Sequence, residues 1–250
     1  MMLPKGFLDR PVAHRALHDR AAGRPENSRA AVRAAVEADY AIEIDLQMSA
    51  DGVPMVFHDY QLQRLTGETG ALRQRDAAAL GAIRLTDAVD GIPTFVEVLE
   101  IVGGRVPLLV EVKDQDGAMG PDVGPLEAAA ASALRGYDGP LALMSFNPHS
   151  VEALGRLCPD RPVGLTSCAG TAEDYPTLPR EAREALGRLE MADAMRLDFI
   201  SHDHRDLHNP RVAELKARGV RVLCWTIRSP AEEAAARKIA ENITFEGYRA

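Results

Sequence analysis

A closed (β/α)8 barrel, with a small insertion after its second strand, is the α/β fold this sequence predicts. Short aliphatic runs alternate with Ala-rich helical stretches from one end of the 250 residues to the other. The runs number eight, and most are apolar on both faces, as strands of a parallel sheet covered by helices must be. No Gly-rich phosphate fingerprint follows the first run. Alternation alone suits both a closed barrel and an open doubly wound sheet; the count and the missing fingerprint favour the barrel.

Taken in order, the first strand is expected at 12–16 and the first helix at 28–38, with Asn27 or Ser28 as its cap. The second strand, 41–47, is followed by an apolar run at 53–58 and a stretch rich in Arg, Asp and Gly up to residue 93. That stretch is too long for a βα loop, so residues 53–93 are read as the insertion. Strands then follow at 108–112, 141–146, 163–167, 198–201, 220–227 and 242–246. Helices are expected at 94–102, 125–134, 150–157, 180–191, 210–218 and 230–240. Asn209-Pro210 and Ser229-Pro230 are cap-plus-proline starts, and Gly219 sits where a helix ends in a left-handed residue. With no repeat or linker, the chain reads as a single domain over 1–250. No helical pattern follows the last strand, leaving a barrel flank to be covered by another subunit or by the N-terminal segment.

Bulk properties narrow the class. Hydrophobic content of 46% and charged content of 26% are ordinary for a soluble domain. A net charge of -8 argues against nucleic acid as partner, although a local cation in a cleft still permits an anionic substrate. No segment approaches a signal peptide or a membrane span. Cys158, Cys168 and Cys224 are odd in number and lack zinc-site spacing, so reduced thiols in a cytoplasmic protein are expected.

The chemistry gathers at strand ends. In Ile42-Glu43-Ile44-Asp45-Leu46 a period of two puts both carboxylates on one side of the strand. Two such groups repel unless a cation or a shared proton lies between them. Glu111 closes the next apolar run, with Lys113 beside it. His14 and Arg15 end the first strand, His58 follows the second, Ser145 and Asn147 the fourth, His202 to His204 the sixth, and Trp225 and Thr226 lie on the seventh. Active sites of parallel barrels lie at the C-terminal strand ends, and buried charges there need pairing or a metal. The pattern reads most simply as a divalent metal site with acid/base partners.

These residues carry a resemblance. His14-Arg15, Glu26-Asn27-Ser28, Glu43-x-Asp45, Asp51-Gly52, His58-Asp59, Leu62, Arg64, Thr66, Gly70 and Glu111-x-Lys113, in that order, resemble the glycerophosphodiester phosphodiesterase family. A weaker match continues through Ser145-Phe146, Cys224-Trp225-Thr226 and Asn242-Ile243-Thr244. The resemblance implies a TIM barrel that hydrolyses glycerophosphodiesters to glycerol 3-phosphate and an alcohol with a divalent metal. Carried over by position, Glu43, Asp45 and Glu111 would bind the metal, and such hard oxygen ligands suit Mg²⁺ or Ca²⁺. His14 and His58 would form the acid/base pair, while Arg15 and Lys113 would hold the phosphate oxygens. Glu26 would orient these groups or reach the metal through water. Asn27 would tie down its loop or cap the helix, and Trp225 would wall the alcohol or the glycerol.

Two departures stand out. The family usually has glycine after His-Arg, where this chain has Ala16. Near the C-terminus its Thr-Asp becomes Thr244-Phe245-Glu246, with Glu246 as a substitute for the acid. Attack by a neighbouring hydroxyl, through a cyclic phosphate, and attack by water both suit the residues. Other readings are a sphingomyelinase D-like lyase, which the aromatic content of 5% disfavours, and a non-catalytic phosphodiester binder. For His202 to His204 a polar rim is expected in preference to a second metal site.

Overall fold

The fold was obtained as a computed structural model that describes residues 3–250. Nine strands form: β1 Val12–Ala13, β2 Ala41–Met48, β3 Pro54–Val56, β4 Leu108–Val112, β5 Leu141–Ser145, β6 Val163–Ser167, β7 Phe199–Asp203, β8 Arg221–Ile227 and β9 Asn242–Phe245. Eight of them pair in parallel around a ring that closes where β1 meets both β2 and β9; β3 is added antiparallel to β2. The molecule is therefore a closed (β/α)8 barrel, with helices outside and β3 opening the insertion.

Alternation within each strand divides its side chains between two layers. Ile42, Ile44 and Leu46 of β2, and Leu108, Val110 and Val112 of β4, face the helices and join the main apolar core. The opposite faces point into the barrel. There Val12, Ala41, Leu109, Ala142, Phe199 and Leu223 fill the lower part. A four-residue helix, Gly6–Asp9, closes the floor with Leu3 and Phe7, and Asn242 donates to the carbonyls of Phe7 and Arg10. Gly164 makes room for Phe199, since a Cβ there would stand 2.4 Å from its ring. Further up the same inner faces the residues turn polar, and β4 places Glu111 level with Asp45 of β2.

The insertion has an apolar cluster of its own, built by Met55, Phe57, Leu62, Leu65, Leu72, Leu80, Leu85 and Ile92. It joins the barrel through β3 and through a capping box, Thr94 with Glu97, that starts the helix Phe95–Val102. At the C-terminus Tyr248 and Ala250 lie against the core beside Tyr40, whose hydroxyl donates to the carbonyl of Ala250. Tyr248 and Ala250 occupy this part of the flank, for which the sequence predicts another subunit or the N-terminal segment. No helix among the described residues is long and apolar enough to cross a membrane.

Several boundaries differ from expectation for local reasons. The first strand ends at Ala13, because Arg15 and Ala16 take left-handed φ values of 50° and 65°. The helix expected from 150 starts at Pro148 on an Asn147 cap. The helix expected over 180–191 stops at Gly187, where a Cβ would lie 2.3 Å from the carbonyl oxygen of Ala169. Leu189, at φ 48°, completes that break.

Candidate active site

Register and alternation build the acidic centre. Asp45 and Glu111 are direct cross-strand partners on β2 and β4, and Glu43 is the next inward residue down β2. All three are buried, and their carboxylate oxygens lie within 4.8 Å of one another. Lys113, the following inward residue after Glu111, places Nζ 2.8 Å from Asp45 Oδ1 and 2.6 Å from Glu111 Oε1. Burial would raise the Asp45 carboxyl, but Lys113, His58 and Arg15 outweigh it and hold the group well below the usual range. Glu43 goes the other way: burial, then Asp45 and Glu111, push it well above the carboxylate range. Three buried hard-oxygen donors, one driven toward protonation by burial and by the other two, are a donor set for a divalent cation, so the residues fit that group.

The loop after β1 folds onto this centre. The backbone N–H of Arg15 donates to Glu43 Oε2 at 2.8 Å, and that of Ala16 to the Glu43 carbonyl at 2.9 Å. Reaching both acceptors requires the left-handed turn, which costs a non-glycine residue about 1 kcal/mol. Asn27, also left-handed at φ 57°, donates from Nδ2 to Asp45 Oδ2 at 2.9 Å. Ser28 takes the cap of the helix Arg29–Glu37, leaving Asn27 to hold the acid. Arg15 Nη1 donates to Glu26 at 2.7 Å, while its Nε stands 3.7 Å from Asp45.

Both histidines are tied to carboxylates through Nδ1. His14 lies 2.6 Å from Glu246 Oε2, and His58 lies 2.7 Å from Asp59 Oδ1. The hydrogen bond with His14 and the nearby His18, 3.5 Å away, keep Glu246 ionised far below the usual carboxylate range, against the opposing effect of burial. With Glu246 ionised, Nδ1 of His14 donates and Nε2 carries the lone pair. Burial lowers the His14 pKa despite Glu246, which favours the neutral ring. Arg64 braces the second pair, donating to both oxygens of Asp59 and to both of Glu26. Burial would raise the Asp59 carboxyl, but bonds from His58 and Arg64 hold it below the usual range.

The comparisons with known proteins complete this picture. A family model described as "Glycerophosphoryl diester phosphodiesterase family" matches residues 14–242. The chain belongs to that family. The glycerophosphodiester phosphodiesterase of Caldanaerobacter subterraneus subsp. tengcongensis is 27% identical over 214 residues, 81% of this chain and 80% of that protein. An Oleispira antarctica phosphodiesterase, solved in complex with the product sn-glycerol-3-phosphate, superposes with a TM-score of 0.74 at 25% identity, covering 97% of this chain and 94% of that one. A putative glycerophosphoryl diester phosphodiesterase from Silicibacter pomeroyi shares the fold, with a TM-score of 0.75 at 22% identity over 94% of this chain and 89% of that one.

In this phosphodiesterase one cavity of about 170 Å³ is lined by His14, Arg15, Glu43, Asp45, His58, Glu111, Lys113 and Trp225 together. Glu26 and Asn27 stand behind that wall, each bonded to a residue within it. Trp225 turns its ring edge-to-face on Phe146 at 5.5 Å and donates from Nε1 to the Ser201 carbonyl. Expected as a polar rim, His202 is instead fully buried between Ser167 and Asp206, and Asp203 caps the next turn and pairs with Arg205. Sequence reasoning gave no role to Asp59 or Arg64, although both sit in the matched motif. For Glu246 it supplied only substitution for a missing acid, because nothing local in the sequence connects residues 14 and 246.

Proposed function

We propose that this phosphodiesterase cleaves small glycerophosphodiesters to glycerol 3-phosphate and an alcohol, with His14 and His58 as base and acid. The observation that carries the reading is convergence. Three buried carboxylates, two carboxylate-tethered histidines and three cations, Arg15, Lys113 and Arg228, surround one cavity at the C-terminal end of the barrel. The product bound by the Oleispira antarctica relative, sn-glycerol-3-phosphate, supports the product named here.

Glu43, Asp45 and Glu111 would hold one Mg²⁺ or Ca²⁺. When bound, such an ion supplies Lewis-acid polarisation of a phosphoryl oxygen and neutralises charge built up in the transition state. Arg15 and Lys113 add fixed positive charge to the same cavity for the non-bridging oxygens. His14, kept neutral by burial and aligned by Glu246, suits removal of the proton from the attacking oxygen. His58 borders both this cavity and the groove outside it, where the leaving alcohol has room, and so suits delivery of a proton to the departing oxygen. The three cysteines are unpaired and buried, which supports a reducing, cytoplasmic setting. We take the barrel and its insertion to work as one domain. Of the exposed large hydrophobic side chains among the described residues only Tyr60 borders the site, which supports water-soluble diesters over a lipid surface.

A coupled assay for glycerol 3-phosphate tests the reading, using glycerophosphocholine and glycerophosphoethanolamine with EDTA or with Mg²⁺ or Ca²⁺. Turnover is expected with metal and abolished by EDTA. Undiminished turnover in EDTA overturns the metal assignment, and no turnover of any diester overturns the activity.

A further inference from the structure

Two grooves flank the cavity, and their chemistry is opposite. One, of about 480 Å³, is lined by His18, Arg24 and Arg249 together with Asp19 and Glu246, and shares no wall residue with the cavity. The other, of about 460 Å³, opens directly into it: His58, Glu111, Lys113 and Phe146 line both. Of its cationic walls, Lys113 is already paired with Asp45 and Glu111.

The second groove is aromatic and acidic. Trp225, Phe146 and Tyr175 form an edge-to-face row, with centroids 5.5 and 6.3 Å apart, leading outward from the cavity. Tyr60 lines the same groove with 43% of its surface exposed, and its hydroxyl is fixed on the Asp114 carbonyl at 2.7 Å, so the ring is held where it stands. Asp114 and Asp174 supply the charge. Asp114 accepts from Nδ2 of Asn147 and the N–H of Met119, has no cation bonded to it among the described residues, and is held above the ordinary carboxylate value by burial, with Asp116 adding negative charge beside it. Asp174 is bonded by the N–H and hydroxyl of Thr171, and the nearest guanidinium, Arg205 at 3.9 Å, is itself held by Asp203.

We propose that this groove is the seat of the leaving alcohol and that it selects alcohols carrying an ammonium group, quaternary or primary. An alkylammonium finds ring faces for cation–π contact, two carboxylates for charge and apolar surface for its carbons. A neutral polyol gains none of the charge terms, and an acidic head group meets repulsion from Asp114 and Asp174. The inference rests on the phosphodiesterase reading, with His58 standing where the groove meets the cavity.

The test compares kcat/KM for glycerophosphocholine, glycerophosphoethanolamine and glycerophosphoglycerol with Mg²⁺ present. A preference of about tenfold or more for the two ammonium diesters is expected, as one desolvated cation–π contact or ion contact provides. In Tyr60→Ala and Asp174→Asn the ratio should fall to within about threefold of unity; being measured on one protein, it cancels any general loss of active enzyme. Equal efficiencies, preference for the polyol, or a ratio untouched by both variants overturns the proposal. Should no diester be hydrolysed, calorimetric titration with the same compounds still decides. Glycerophosphocholine binding about tenfold tighter than glycerophosphoglycerol supports the groove while the hydrolytic reading fails, and equal binding overturns the groove itself.

Discussion

His14 and His58 face one cavity, but different regions of the molecule hold them. His14 belongs to the seam of the barrel. β1 and β9 pair as Val12 with Thr244 and Ala13 with Phe245, which brings His14 against Glu246 across 232 residues of chain. His58 belongs to the insertion; its carboxylate is the next residue, and Arg64 fastens the pair to Glu26. The seam histidine is the more enclosed, 14% exposed at the side chain against 31% for His58. Closure of the barrel thus encloses His14 against a carboxylate distant in sequence, whereas a local turn leaves His58 open-sided at the edge of the groove. In the mechanism proposed above, one fold supplies both halves of acid/base catalysis by holding the same side chain in two ways.

That contrast can be broken at its supports. Glu246→Gln removes the charge that orients His14 and is expected to lower kcat about 10- to 100-fold, the usual cost of losing the partner behind an active histidine. Arg64→Ala leaves Asp59 on His58 and removes only the brace, so a smaller loss, about tenfold or less, is expected in the same assay. Equal losses would mean that the two pairs are not held differently.

The pH dependence sharpens the comparison. Burial lowers the His14 pKa below 6.5, the ordinary imidazole value, so the acid limb of kcat/KM should fall below pH 6.5. The sign for stability agrees. The unfolded chain takes up the proton first, so stability is lost as pH falls from about 6.5 through the lower folded value. A limb above 6.5 would show that His14 is not the neutral base.

The smallest effect concerns the turn itself. Ala16→Gly removes the left-handed penalty at φ 65° but adds backbone freedom to the unfolded chain. The balance should be neutral to stabilising by about 1 kcal/mol at most, read from Tm, with activity retained. A clear loss of stability would mean that the methyl, buried in the main core, contributes more than the turn costs.

The acidic centre was legible because strand alternation is local: Glu43 and Asp45 declare their common face within three residues, and Glu111 stands in the same way at the end of the next apolar run. The eight barrel strands and the insertion were legible for the same reason. The His14–Glu246 pair was not, since it exists only once the first and last strands meet. Nor was the floor helix Gly6–Asp9, too short to show a helical period. Asn147-Pro148 carried a legible start signal that the periodicity from Ser150 obscured. The break at Gly187 could not be foreseen, because it arises from close approach to Ala169 in another loop.

The division of labour between the histidines has a direct test in the leaving group. A glycerophosphodiester of p-nitrophenol needs little protonation of its departing oxygen, whereas a choline diester needs it fully. His14→Ala should lose about 10²-fold or more in kcat on both substrates. His58→Ala should lose as much on glycerophosphocholine but stay within about tenfold of wild type on the nitrophenyl diester. Rescue of His14→Ala in place of His58→Ala would reverse the assignment, and rescue of neither would contradict the account of His58 as the acid.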